Sequence, residues 1–349
     1  MTLGDNVATI GDNAFESYAS SMYSKTNQTL VISPKVKHIG MSAFTSSGLR
    51  SIVISEGIEV IDTMAFSGMG YVETITLPKS LKEIRMLGFQ SLTKLQSIEL
   101  PEALTTIGDG AFAGCSKITG VKISDVVKTV GKRAFSKCNA LTGIEVAENN
   151  PYFTAVDGVL YTKDRTMLKQ YPVGRADTLY VVPAYVTMLE GGAFAGSSKL
   201  TTINLHDNIV SLGVGVFQEC SALKQMKLPK DLTVLPEGTF MSCTRLKAVT
   251  LPESLQEIGP SAFYMCQALP EITLPASLKI LGNDAFNMGR YWALKTVYSR
   301  SQTPPECTYN GGTTLDPFYS FTLSQGTLYV PQGAAQAYKK LPYGVSLRI

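Results

Sequence analysis

Five of the six cysteines share one register. Cys115, Cys138, Cys220, Cys243 and Cys266 each stand three residues after a phenylalanine. A thiolate could act there as a nucleophile or as a soft metal ligand. Zinc, however, asks for four ligands, and no CxxC-type pair supplies them. The same slot holds Ser47, Met69, Leu92, Ser197 and Gly289 elsewhere in the chain. A position that accepts all of these is a packing site, where free cysteine behaves as a small hydrophobe. Stacked equivalents would point their Cβ vectors in parallel, a poor geometry for bridging, so reduced thiols are expected. The two histidines, His38 and His206, have no local partner that would suggest a triad or a metal pair. The run GDGAFAG at 108–114 lacks dinucleotide-loop spacing, and the NQT at 27–29 is a tripeptide that arises by chance. No catalytic, cofactor or metal residue is therefore assigned, and the sequence predicts a protein that is not an enzyme.

The cysteine register belongs to a longer one. Phe15, Phe44, Phe66, Phe89, Phe112, Phe135, Phe194, Phe217, Phe240, Phe263 and Phe286 mark a repeat, with seven of their ten spacings equal to 23. Within each unit an apolar-x-x-apolar-x-apolar segment recurs, as in LQSIEL (95–100), LTTINL (200–205), LKAVTL (246–251) and LPEITL (269–274). Its last two apolar residues are two apart and face one side of a strand. Pro78, Pro101, Pro229, Pro252 and Pro275 follow in one slot, where the missing N–H ends the strand and turns the chain. A second apolar pair (as in SLQEIG, 254–259), a turn and the Ala-Phe pair complete the coil. A unit of this size cannot bury its own apolar residues and must stack on its neighbours. The expected fold is a β-rich repeat solenoid: a right-handed leucine-rich-repeat array of about eleven 23-residue coils with little regular α-helix.

Two irregularities modify the array. The 59-residue interval between Phe135 and Phe194 exceeds two repeats by 13 residues. Its segment AVDGVLYTKDRTMLKQYP reads as two β-rich runs joined at Lys163-Asp164, with another turn at Asp157-Gly158. This places a β-hairpin insertion at about 149–176 of a solenoid spanning 1–299. Residues 300–349 are expected to cap it with a strand, a Pro-Gly turn, a short helix around Ala334–Lys340 and a final strand, because an open solenoid end exposes core and an unpaired edge. Cys307 and Trp292 fall in the atypical end.

Composition limits the partners. Net charge is +3, from 31 basic and 28 acidic residues, which argues against nucleic acid. No apolar run is long enough to span a bilayer, so no membrane insertion is expected. The start MTLGDNVATIGDNAF has no signal-peptide character and already lies inside a repeat, so the chain is expected to be part of a longer protein, and the missing signal says nothing about where that protein lives. What remains is surface. The outward residues of the main strands, among them Glu99, Lys122, Asn204, Lys227, Thr250 and Thr273, would lie side by side as a candidate partner-binding face. Threonine's strand preference accounts for part of that pattern, and aromatic or arginine anchors are scarce on it. The hairpin tip at Lys163, Asp164 and Arg165 is the second candidate.

The copies of LPESLQEIGPSAFYMCQALPEITLP (251–275), the segment NNPYFTAVDGVLYTKDRTML (149–168), and SQTPPE with TLYVPQGAAQAYKKLPYG (301–306 and 327–344) together resemble the BspA-like leucine-rich repeat family of bacterial surface proteins. Tyr343 departs from the tryptophan common in that family. The resemblance implies export, a cell-surface or secreted position, and binding of a host or matrix protein by some members; it implies no catalytic residue. The expected function is a non-enzymatic adhesion or interaction module that binds a partner protein or glycan through the strand face. The alternative is a structural spacer that holds another domain away from the cell.

Overall fold

The structure, a computed structural model, describes residues 6–18, 29–289, 294–308, 317–318, 326–339 and 347–348. The chain divides into two compact units, Met1–Arg175 and Ala176–Ile349. Each is a β-solenoid built from the repeat described above.

In the first unit, the long strands Thr29–Ile32, Ser51–Ile54 and Thr74–Thr76 pair in parallel, 22 or 23 residues apart in register. Gly120–Ile123 and Gly143–Val146 form a further parallel pair. Residues 95–100, read from the sequence as a strand, keep the alternation of buried Leu95 and Ile98 with exposed Ser97 and Glu99 but form no ladder. The second apolar pair of each coil makes its own sheet: Val60–Ile61, Glu83–Ile84, Thr106–Ile107 and Thr129–Val130 lie in that order, all parallel. In the second unit, Leu179–Val181, Thr202–Asn204, Gln225–Lys227 and Ala248–Thr250 form one long-strand sheet. Glu271–Leu274, Thr296–Ser299, Thr327–Tyr329 and Leu347–Arg348 form the next. The turn after each slot proline is closed by an N–H three residues on, as from Leu104 to the Pro101 carbonyl and from Leu255 to that of Pro252.

Between the sheets each unit carries a stack of phenylalanine rings. Phe15, Phe44, Phe66, Phe89, Phe112 and Phe135 follow one another at centroid distances of 5.1 to 5.7 Å. Phe194, Phe217, Phe240, Phe263 and Phe286 do the same at 5.1 to 5.6 Å. Phe318 adds a rung at 5.3 Å that the 23-residue rhythm had missed, because it lies 32 residues beyond Phe286. The Phe286 N–H bonds to the Pro317 carbonyl, so Pro317-Phe318 stands where the next Ala-Phe would be.

The side of the coil opposite the long strands is neither helix nor strand. The residue two before each of Phe15 through Phe135 and Phe194 through Phe286 has positive φ, as do those two after Phe15 through Phe135 and Phe194 through Phe263. The two left-handed residues flank the phenylalanine four apart, and between them every second N–H points along the stack while Ala65 and Ser67 bond back to the Asp62 and Met64 carbonyls of their own turn. Thus Met64, Phe66 and Gly68 donate to Met86, Gly88 and Gln90 of the next coil at 2.8–2.9 Å, and Gly238, Phe240 and Ser242 donate likewise to Pro260, Ala262 and Tyr264. The compact turn therefore satisfies its backbone between coils, as strands do, and a helix is not needed.

The insertion is a three-stranded antiparallel element, one strand more than the two runs read from the sequence. Phe153–Val156 pairs with Val159–Thr162 through the two-residue Asp157-Gly158 turn, and Val159–Thr162 pairs with Met167–Gln170 through residues 163–166. At the C-terminal end Thr327–Tyr329 continues the parallel ladder. A turn with Gly333 at φ 87° follows, and then the four-residue helix Ala335–Tyr338. The buried Tyr338 hydroxyl bonds the Ser299 hydroxyl at 2.7 Å and accounts for the Ser301 and Thr303 carbonyls at 3.1 and 3.2 Å, which pins the helix to the last long strands. Trp292, Tyr343 and the first two residues of the NQT tripeptide lie outside the described residues.

Candidate binding face

The long strands turn alternate side chains outward, and all six residues singled out from the sequence lie on that side. Glu99, Lys122, Asn204, Lys227 and Thr250 are exposed and Thr273 is half-buried. Parallel register sets equivalents beside one another. Lys122 stands opposite Glu145, and Lys227 opposite Thr250. Glu99 belongs to the segment that forms no ladder, so its placement is less fixed by backbone pairing than that of the others.

In the first unit this side holds a groove of about 820 Å³, lined by Lys122, Glu145, Ile98, Asp157 and three glycines. Gly158 must be glycine: its φ is +75°, and a Cβ would lie 2.8 Å from the Gly143 Cα. Gly120 and Gly143 carry no such demand, since a Cβ there meets nothing closer than 4.0 and 3.6 Å. The Ile144 N–H donates to the Gly158 carbonyl at 2.9 Å, so the Asp157-Gly158 turn docks where a further long strand would pair. Arg175 Nη1 holds that turn through the Asp157 carbonyl.

The opposite turn of the insertion, at Lys163, Asp164 and Arg165, is occupied with its own geometry. Asp164 accepts hydrogen bonds from the Thr162 hydroxyl at 2.6 Å and from the Thr166 N–H and hydroxyl at 3.1 and 3.0 Å. These bonds, led by that from Thr162, hold its carboxyl below the usual range. Lys163 Nζ donates to the Glu148 carbonyl at 3.0 Å, and Arg165 sits at φ 62°. Asp164 therefore braces a tight turn, and Lys163 is drawn back to the Glu148 carbonyl.

In the second unit the outward side carries a feature absent from the sequence reading. Tyr298 and Tyr329 stack at 5.0 Å with 17° between their planes. With Thr273, Arg300 and Pro331 they line a groove of about 590 Å³. KTVYSRSQTPPE reads as the point where periodicity ends. Counted from the strand ladder instead, Tyr298 is the register equivalent of Thr273, and Tyr329 of Tyr298.

The cysteines and histidines take structural positions. Each ladder thiol donates to the carbonyl of the previous coil's phenylalanine: Cys115 to Phe89, Cys138 to Phe112, Cys220 to Phe194, Cys243 to Phe217 and Cys266 to Phe240, at 3.1 to 3.3 Å. The five ladder cysteines form no disulfide. Burial pushes the Cys115 thiol up to about 12 and raises those of Cys138, Cys243 and Cys266, the opposite of what a nucleophile needs. His206 Nδ1 accepts from the Asn208 N–H at 3.3 Å; its Nε2 therefore carries the proton and donates to the Pro183 carbonyl at 2.8 Å. His38 is exposed on a short strand. Among the described residues no three His, Cys, Asp or Glu side chains converge as a metal site, and no helix is long and apolar enough to cross a membrane.

A repeat solenoid with a spine of stacked rings and parallel strands on both flanks defines the leucine-rich-repeat class. The family model for BspA type leucine rich repeat regions matches residues 37–154 and 178–291 in six copies, and the chain belongs to that family. A leucine rich cell surface protein of Faecalibacterium prausnitzii has a similar structure, with TM-score 0.64, 26% identity, and coverage of 85% of this chain and 86% of that one. A leucine-rich repeat protein of Eubacterium ventriosum gives TM-score 0.55 and 25% identity over 72% of this chain and 79% of its own. The pneumococcal vaccine antigen PcpA, at 20% identity and TM-score 0.59 over 100% and 95% of the two chains, shares the fold. None of the curated proteins matches in sequence.

Proposed function

We propose that the protein is a non-enzymatic interaction module, displayed at a cell surface or secreted, that binds a partner protein or glycan through its long-strand face. The observation that carries this reading is the location of concavity. The groove in the first unit and the groove in the second are both lined by outward residues of the long strands. Parallel pairing holds these side chains in register without cost at the time of binding, which is the usual advantage of a solenoid binder. The cell-surface designation of the F. prausnitzii relative supports the location.

The test is a binding screen of the full chain against extracellular-matrix proteins and glycans, repeated with Lys122→Ala, Asn204→Ala, Lys227→Ala and Thr250→Ala. Loss of binding in one or more variants supports the face. Binding unchanged in all four moves the site to the insertion turn at Lys163–Arg165 or to the C-terminal end. A chain that binds nothing in the panel is better read as a spacer.

A further inference from the structure

We infer that the ring face of Tyr298, above Thr273, is a stacking site for one uncharged pyranose ring of a glycan. This rests on the reading of the long-strand side as the binding face and gives that face a ligand class. Thr273, Tyr298 and Tyr329 occupy equivalent positions on three neighbouring parallel strands. The two tyrosine rings are nearly parallel and 5.0 Å apart, close to the strand spacing of about 4.8 Å. They therefore stack along the direction in which strands succeed one another. One face of Tyr298 is covered by Tyr329; the other is turned toward the strand of Thr273, whose short side chain rises less than a ring. The space above Thr273 is thus open toward the preceding strand and bounded on one side by an aromatic face.

Three features select the occupant. An aromatic face carries partial negative charge and favours the C–H edges of a saturated ring lying flat on it. Polar groups come next: the hydroxyls of Thr273, Tyr298 and Tyr329 have no hydrogen-bond partner among the described residues, so donors and acceptors border the ring face where sugar hydroxyls would lie. Charge is the third. Arg300, the cation at the groove, is engaged by the Glu253 carboxylate, so no uncompensated charge calls for a sialyl, uronic or sulfated sugar. Tyr298 and Tyr329 are 38% and 39% exposed, which leaves enough ring surface to be covered by a ligand while the rest is anchored on the sheet.

The test is titration of the full chain with neutral oligosaccharides of glucose, galactose and N-acetylglucosamine, with sialylated and sulfated oligosaccharides, and with a proline-rich peptide. A neutral oligosaccharide is expected to bind. Tyr298→Thr, which installs the residue found at the equivalent position in Thr250 and Thr273, should weaken it at least tenfold, while Tyr298→Phe should keep most of the affinity. Thr273→Leu covers the open face of Tyr298 with an aliphatic side chain and offers no ring of its own, so it should weaken binding at least tenfold with the fold intact by circular dichroism. Retention only of acidic sugars, binding of the peptide alone, no bound neutral sugar, or full affinity in Thr273→Leu each overturns the assignment. Failure here leaves binding of matrix proteins, and its sensitivity to Lys122→Ala and Lys227→Ala, as a separate result on the face as a whole.

Discussion

A thiol three residues after a phenylalanine is chosen here for reach. The C–S bond carries the donor to the carbonyl of the previous coil's phenylalanine, which already accepts the N–H of the residue three ahead of it: the Phe112 carbonyl receives the Cys115 N–H at 3.2 Å and the Cys138 thiol at 3.2 Å. Where the slot holds serine in the first regular coil of a run, the shorter side chain finds nothing. The buried hydroxyls of Ser47 and Ser197 have no partner. A buried thiol in such a ladder also links stability to pH. The folded-state pKa of Cys115, near 12, lies above the ordinary 9.0, so the folded form binds the proton more tightly than the unfolded form. The contribution is complete below about pH 9 and is lost as pH rises through the window toward 12. Urea unfolding of the parent chain and of Cys115→Ala at pH 8 and pH 10.5 checks this: alanine does not titrate, so the stability gap between the two should narrow at the higher pH. An equal gap at both would show that the thiolate is tolerated.

Elements in this protein are defined by what lies one coil away. The strands of two to four residues would not hold in isolation, and the turns about the phenylalanines use left-handed backbone at residues as varied as Met64, Leu87, Arg133, Glu219 and Ser242. That variety is why the sequence shows a turn before each Ala-Phe pair but not the left-handed backbone within it. Left-handed residues are usually betrayed by glycine or asparagine, and here the intercoil hydrogen bonds impose the conformation on whatever residue is present. The phenylalanine period, by contrast, is legible from Phe15 to Phe286, as are the Asp157-Gly158 turn and the short helix after Gly333, because each carries its own local chemistry. Phe318 and the Tyr298–Tyr329 pair were not, since the 23-residue count fails after Phe286 while the strand ladder goes on. The constraint at the left-handed positions can be measured. Ser242, at φ 61°, should lose about 1 kcal/mol on substitution by valine, whose second branch at Cβ crowds the left-handed backbone more than serine's hydroxyl does. Ser242→Gly should be neutral or slightly stabilising, as read from denaturation midpoints. Equal effects of the two would mean the backbone relaxes there.

At the scale of the molecule, the same stacking that builds the core decides how disturbance spreads. Every rung in a unit touches only its two neighbours, so stability is close to a sum of coil terms and interface terms. Phe89, fully buried, lies between Phe66 at 5.4 Å and Phe112 at 5.6 Å. Phe89→Ala removes the transfer energy of one ring and leaves a cavity, a cost of about 3–5 kcal/mol, and it falls on two interfaces at once. Hydrogen exchange should therefore show protection lost first at the amides of residues 84–91 and their hydrogen-bond partners in the adjoining coils, with Phe44 N–H and the Gly143–Val146 strand retaining theirs. Loss spread evenly over the unit that ends at Arg175 would instead mean that it opens only as a whole. The distinction bears on binding, because a face whose side chains are set coil by coil can lose one contact locally while the strands on either side keep their register.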